Sequence, residues 1–140
     1  MTKLSRNEIV SMSPAQLNEA VAIEAGWEQI TIYDSKRRPY SAWSKHGHLL
    51  RHFDISDPCV YSDLLDDLIA RGRDFVLIGD TDYFGKPMYA LIDVDEMWSD
   101  GDEYEVIYGK FRVRRDEWSS TRGEAIARAW LVVVNEEKKE

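Results

Sequence analysis

The apolar residues between positions 62 and 78 constrain the fold of this chain more than any other feature. Four of them recur at helical spacing: Leu64, Leu65, Leu68 and Ile69. Such a stripe is typical of a helix that buries one face, and Ser62 and Gly72 are its predicted cap and end. An uninterrupted apolar run at 75–78 follows, which favours a strand covered on both faces. The sequence therefore predicts a helix that leads directly into a buried strand.

Upstream of this helix, the pattern predicts one further helix, one strand and a long loop. Ser13-Pro14 is a favourable helix start, so a helix is predicted at about 14–25. Alternation over residues 27–33 predicts the first strand. Residues 34–58 show no sustained period and contain several turn formers, so they are predicted to be a long loop with one short strand around 49–53.

Downstream of this helix, the pattern predicts further strands and a final helix. The predicted strands lie at 74–78, 88–94 and 104–115, with a turn at Gly79-Asp80 after the first of them. Thr121 and Glu124 have the spacing of a capping box, which predicts the start of the last helix. The charged residues at 136–140 are predicted to fray.

Taken in order, these elements predict an α+β fold. Neighbouring strands flanked by helices are typical of helices layered on an antiparallel sheet, here a sheet of about four strands packed with two or three helices. The chain has 140 residues, which is the usual length of one domain, so a single domain over 1–140 is predicted.

Composition excludes several classes of function. Cys59 is the only cysteine, so an internal disulfide and a zinc site with several cysteines are excluded. No stretch approaches the roughly 18 apolar residues of a membrane span, and no signal peptide is apparent, so the prediction is a cytoplasmic protein without membrane contact. The net charge of −8 disfavours generic nucleic-acid binding, because that function normally requires a basic surface.

Three segments resemble the phage ABA sandwich domain, a family of small phage-encoded proteins that mostly have no assigned function. The segment LNEAVAIEAGW at 17–27 resembles the opening helix of that family, and YSDLLDDLIARGRDFVLI at 61–78 resembles its central helix and following strand. The segment GEAIARAWLVVV at 123–134 is similar to its closing helix. The resemblance implies a layered α+β fold and a location in the bacterial host cytoplasm, and it implies no catalytic residues.

Acidic residues are concentrated between the last predicted strands. Residues 88–109 contain no Lys or Arg, and the link within them carries all of the predicted partner-binding residues: Asp95, Glu96, Trp98, Asp100, Asp102 and Glu103. Clustered carboxylates around an aromatic residue are typical of a surface that docks on a basic partner. A weak cation site and a plain acidic hairpin are the alternatives.

The opposite charge is concentrated in the predicted long loop. The basic residues Lys36, Arg37 and Arg38 precede Tyr40, and Trp43, Lys45 and Arg51 follow. Basic and aromatic side chains together favour stacking and charge contacts with a nucleotide or phosphate, so Lys36, Arg37, Arg38 and Tyr40 are the predicted ligand-binding residues of an alternative function. The alternative interpretation is that this loop merely balances the acidic link.

Metal binding and catalysis have little support in the sequence. His46, His48 and His52 with Cys59 could supply nitrogen and sulfur ligands, but Gly47 interrupts the strand that would align them. The chain has no Gly-rich phosphate loop, no nucleophile elbow and no zinc-deaminase signature. We therefore predict neither an enzyme nor a cofactor.

The function predicted from the sequence is that of a non-enzymatic phage accessory protein, which binds a host or defence protein through its acidic surface. The alternative is a protein that binds or sequesters a small ligand, such as a nucleotide. An exposed edge of the first strand would also allow a homodimer.

Overall fold

A computed structural model of the protein describes residues 3–73, 75–82, 84–93, 104–108, 111–114 and 118–138. Within these ranges the helices are α1 (Arg6–Val10), α2 (Pro14–Glu24), α3 (Pro58–Ala70) and α4 (Arg122–Glu136). The strands are β1 (Glu28–Tyr33), β2 (Pro39–Lys45), β3 (His48–Leu50), β4 (Phe75–Thr81), β5 (Pro87–Asp93), β6 (Tyr104–Tyr108) and β7 (Phe111–Arg114). The predicted α+β class is confirmed.

Side-chain caps define where the helices start. Ser13 accepts a hydrogen bond from the Gln16 amide at the start of α2, as its position before proline predicts. Thr121 accepts one from the Glu124 amide at the start of α4. The predicted cap of α3 is wrong, because Asp57 caps this helix through the Cys59 amide and Pro58 occupies its first turn. That helix therefore begins before Ser62.

The described strands belong to three antiparallel sheets rather than to one sheet of about four strands. The first sheet has the order β1-β2-β3, and β4 pairs with β5 and β6 with β7. A single bridge between Tyr89 and Ser119 fixes β5 beside the start of α4 through two N–H···O hydrogen bonds of 2.7 Å.

The prediction of a loop at 34–58 is wrong for residues 39–45, which form β2, whereas β3 overlaps the short strand predicted around 49–53. A turn at Asp34 reverses the chain from β1 into β2, and a two-residue turn at His46 and Gly47 connects β2 with β3. Both turn residues have positive φ, 49° and 81°, which matches the twist of a tight hairpin. Strand β2 has a single buried residue, Ala42, so its sequence lacks the regular alternation of buried and exposed residues that predicts a strand.

Two further turns differ from their predicted positions. Gly79 and Asp80 lie inside β4, and the chain reverses instead at Asp82, whose side chain and backbone organise the β4–β5 turn. The predicted strand at 104–115 consists of the two strands β6 and β7, which pair with each other.

Helix α4 forms the centre of the hydrophobic core. Helices α1, α2 and α3 and strand β5 all contact it. Large apolar side chains that are almost completely buried come from every one of the four helices and from the segment before α3: Ile9, Leu17, Val21, Ile55, Leu68, Ile126 and Leu131. Gly123 lets the backbone at Ile55 approach α4 so closely that a Cβ atom at position 123 would lie 2.0 Å from the Ile55 carbonyl oxygen.

Polar contacts hold the residues that follow α4. The Arg71 Nη1 atom lies 2.5 Å from a Glu137 carboxylate oxygen, and Lys138 Nζ lies 2.5 Å from Glu24 Oε1. Glu136 ends α4, and Glu137 and Lys138 make these contacts, while Lys139 and Glu140 lie outside the described residues, so the fraying at 136–140 stays a prediction. Among the described helices, none is both long and apolar enough to cross a membrane.

Candidate ligand-binding site

The turn between β1 and β2 presents a basic tip, which we define as Lys36, Arg37 and Arg38. Asp34 organises this turn because its Oδ1 atom accepts hydrogen bonds from the amides of Lys36, at 2.8 Å, and Arg38, at 2.9 Å. All three basic side chains are exposed. The predicted basic residues thus share one end of the first sheet.

The same turn occurs between β4 and β5. Asp82 Oδ1 accepts from the amides of Phe84 and Lys86 at 2.8 and 2.9 Å, in the same relative positions. The fourth residue of each turn has positive φ, 61° at Arg37 and 78° at Gly85. Arg37 therefore occupies a backbone position that favours glycine, whereas Gly85 satisfies it without strain.

Ion pairs and stacking arrange the other groups near the basic tip. Arg38 Nε donates to Asp34 Oδ2 at 2.9 Å, and the Arg51 guanidinium lies 4.6 Å from the centre of the Tyr40 ring. The amide and guanidinium of Arg38 and the charge of Arg51 hold the pKa of Asp34 below its ordinary value. The structure thus brings Tyr40 to the basic tip, half-buried beneath Arg51.

Lys45, another basic residue of the predicted stretch, makes different contacts. Its ammonium group donates to the Ala25 carbonyl at the end of α2 and lies 6.0 Å from the centre of the Trp27 ring. These contacts connect β2 with the end of α2, so Lys45 belongs to the packing of the fold rather than to the basic tip.

A polar cleft with a volume of about 480 Å³ lies between α2, the first sheet and the segment after β3. Its lining residues are Asn18, Gln29, Ser41, Trp43, Arg51, His52, Phe53 and Asp54. Gln29 and Trp43 are direct cross-strand partners, so their side chains share one face of the sheet with Ser41. Arg51 belongs both to this cleft and to the surroundings of the basic tip.

The polar cleft combines one aromatic surface with several hydrogen-bonding groups. Trp43 offers a partly exposed indole for stacking, and Gln29 and Ser41 offer an amide and a hydroxyl. The side-chain oxygen Oδ1 of Asn18 already accepts a hydrogen bond from the Ile55 amide at 2.9 Å, which fixes the Asn18 side chain at the wall of the cleft. This arrangement suits a ligand with a planar ring and polar edges.

The three histidines do not share one site. His46 lies in the β2–β3 turn, His48 begins β3, and His52 lines the polar cleft. Within the described ranges, no group of three or more His, Cys, Asp or Glu side chains is close enough together to hold a metal ion.

The predicted acidic surface lies outside the described residues. Its members are Asp95, Glu96, Trp98, Asp100, Asp102 and Glu103. The geometry of the described residues therefore concerns the alternative, small-ligand function.

Comparison with known proteins adds no assignment to this geometry. No family model matches the chain, and neither a curated protein nor a solved structure matches it. The resemblance to the phage ABA sandwich domain stays a prediction, and the case for function depends on the residues themselves.

Proposed function

We propose that the protein is a non-enzymatic binding protein, whose ligand is a small anionic molecule with an aromatic ring, such as a nucleotide. The ring stacks in the polar cleft, and the negative group lies towards the basic tip. The observation that supports this proposal is the position of Arg51, which lines the cleft while its guanidinium lies over Tyr40 beside the basic tip.

The size and chemistry of the polar cleft fit such a ligand. A volume of about 480 Å³ lies within the range of roughly 300–1,000 Å³ that small-molecule sites occupy. Stacking of a base on an aromatic side chain contributes about 1–3 kcal/mol. Arginine can in addition form two parallel hydrogen bonds with a phosphate group.

A thermal-shift panel of cyclic and linear nucleotides tests this proposal. A ligand at 100 times its dissociation constant adds about 2.7 kcal/mol to the stability of the folded state, which raises Tm measurably. Titration calorimetry with the nucleotide that gives the largest shift then supplies the affinity.

Variants show whether the polar cleft is the site. Arg51→Gln should weaken binding at least tenfold and leave the Tm of the free protein within a few degrees, because Arg51 is exposed. Lys86→Gln is the matched control, since it also removes one exposed cation, from the β4–β5 turn, which does not line the polar cleft. No shift with any nucleotide, or equal affinity of Arg51→Gln and the wild type, would contradict the proposal.

A second proposal follows from the charge pattern of the sequence. We propose that the chain is a phage accessory protein of the ABA sandwich type, which acts in the bacterial cytoplasm by binding a basic host or defence protein. The observation in favour is the absence of Lys and Arg from residues 88–109, where the acidic residues surround Trp98.

Charge reversal tests the second proposal. Asp100→Lys, Asp102→Lys and Glu103→Lys together should abolish capture of a basic partner from bacterial lysate and leave Tm within a few degrees. Capture by the wild type should also be lost at high salt, because exposed charges are screened within about 8 Å at physiological ionic strength. A partner that the reversed variant retains would exclude the acidic surface as the contact.

A further inference from the structure

The turn between β4 and β5 carries the most exposed large apolar side chain in the described part of the chain. Phe84 lies at the tip of this turn and is 84% exposed. The turn is fixed by hydrogen bonds of the Asp82 amide to the Lys86 carbonyl, at 2.8 Å, and of the Gly85 amide to the Asp82 carbonyl, at 3.0 Å. A partner that binds Phe84 therefore has little backbone entropy to remove.

An apolar cleft lies elsewhere on the same molecule, between α2, α4 and the segment around α1. Its volume is about 370 Å³, and its apolar walls are formed by Leu4, Met12, Ala20, Ile23 and Leu131. Ile23 is 52% exposed there. An exposed apolar cleft of this size is large enough for an aromatic side chain.

Phe84 cannot enter the apolar cleft of its own chain. Tyr89 is hydrogen-bonded to Ser119 beside the start of α4, and Leu91 lies in the core. The β4–β5 turn precedes both residues in the chain, so it extends beyond the N-terminal end of α4. Leu131 lies in the last turns of α4, which has 15 residues and is about 22 Å long. The two features thus lie at opposite ends of α4.

Charge at the two features is complementary. Lys86 is exposed next to Phe84, and Glu19 is exposed at the rim of the apolar cleft. The other carboxylate at this rim, Glu24, is engaged by Lys138 at 2.5 Å. An inserted Phe84 would bring Lys86 towards Glu19.

From these observations we infer that the protein binds further copies of itself head to tail, with Phe84 of one copy seated in the apolar cleft of the next. The contact joins two different surfaces, so it repeats along a chain of molecules or closes into a ring instead of ending at a symmetric dimer. An aromatic anchor in an apolar pocket with a charged rim is the usual composition of a binding hot spot.

Sedimentation velocity over a wide range of concentrations tests the inference. The average mass of the wild type should grow beyond that of a dimer. Phe84→Ala and Ile23→Glu should each weaken association at least tenfold, and both should keep the wild-type Tm. Tyr33→Ala and Ile69→Glu are matched controls, because they alter side chains that are 65% and 63% exposed at other sites. The controls should associate like the wild type.

Mixing the two defective variants makes the test specific. Phe84→Ala retains an intact apolar cleft, and Ile23→Glu retains Phe84, so the mixture should form a one-to-one dimer that does not grow. In a single chain, Glu19→Lys combined with Lys86→Glu should restore the association that either change alone weakens.

Several outcomes would overturn the inference. They are a wild type that stays monomeric at every concentration, an association that Phe84→Ala leaves unchanged, and a mixture in which no dimer forms. Native mass spectrometry that finds a small apolar molecule retained by the wild type, and lost from Ile23→Glu, would assign the apolar cleft to that molecule instead.

Discussion

Gly123 lies in the first turn of α4, where the backbone of the segment before α3 approaches the helix. A Cβ atom at this position would lie 2.0 Å from the Ile55 carbonyl oxygen and 3.0 Å from the Ser56 Cα atom. Since the obstacle is backbone, no side-chain rotation can relieve the contact. The residue at 123 thus determines how closely two parts of the core approach each other.

We expect Gly123→Ala to lower the free energy of unfolding by about 3 kcal/mol, because it forces the backbone at Ile55 away from α4. Urea denaturation measures the loss. Gly79→Ala is the control, since a Cβ atom there meets the Tyr89 ring at an ordinary 3.6 Å. Equal stability of the two variants would show that the segment before α3 moves freely.

The β1–β2 and β4–β5 hairpins contain the same type of turn, but a different residue occupies its strained position in each. Arg37 and Gly85 both have positive φ. In that conformation, a residue with a Cβ atom destabilises the folded state by about 1–2 kcal/mol. We expect Arg37→Gly to raise the free energy of unfolding by about 1 kcal/mol and Gly85→Ala to lower it by about 1 kcal/mol. Denaturation of each variant measures its change in the free energy of unfolding. Two changes of the same sign would contradict this explanation.

The elements that the sequence predicts well are those with local signals. Helices α2 and α4 follow from caps and apolar stripes within a few residues. The pattern of the sequence does not predict strand β2, because Arg37 replaces the glycine that normally marks such a turn and because only Ala42 is buried. Helix α1 does have a signal in the sequence, since Ser5 and Glu8 form a capping box.

The candidate site also contains one part that the sequence predicts and one part that it does not. The basic tip could be predicted because its residues are consecutive in the chain. The polar cleft could not, since Asn18 comes from α2, Gln29 from β1 and Ser41 from β2. Only the fold brings these polar residues together, and no spacing in the sequence indicates it.

Across the whole molecule, Asp67 links α3 to α4. Its Oδ2 atom accepts from Trp130 Nε1 and from Arg71 Nε, each at 2.7 Å. Burial opposes ionisation of Asp67, but the hydrogen bonds from Arg71 and Trp130 outweigh it and hold the pKa below its ordinary value. Folding therefore favours the ionised carboxylate.

We expect Asp67→Asn to lower the free energy of unfolding by about 1 kcal/mol at neutral pH, a modest value because the carboxylate is 41% exposed. A lowered folded-state pKa stabilises above the unfolded value, near pH 4, and the contribution disappears as the pH falls through the folded value. Denaturation at several pH values should thus show the two proteins converging in acid. A constant difference would mean that the Asp67 charge contributes nothing.

The central position of α4 has a consequence for the order of folding during synthesis. The ribosome makes α1, α2, α3 and β5 before α4, yet each of them buries apolar side chains against this helix. Leu4, which precedes α1, in addition donates its amide hydrogen to Asn135 Oδ1, 131 residues further along the chain. Until residues 122–136 leave the ribosome, the nascent chain exposes Leu17, Val21 and Leu68 to water. Chaperones that bind apolar segments should therefore bind this nascent chain until α4 has been made.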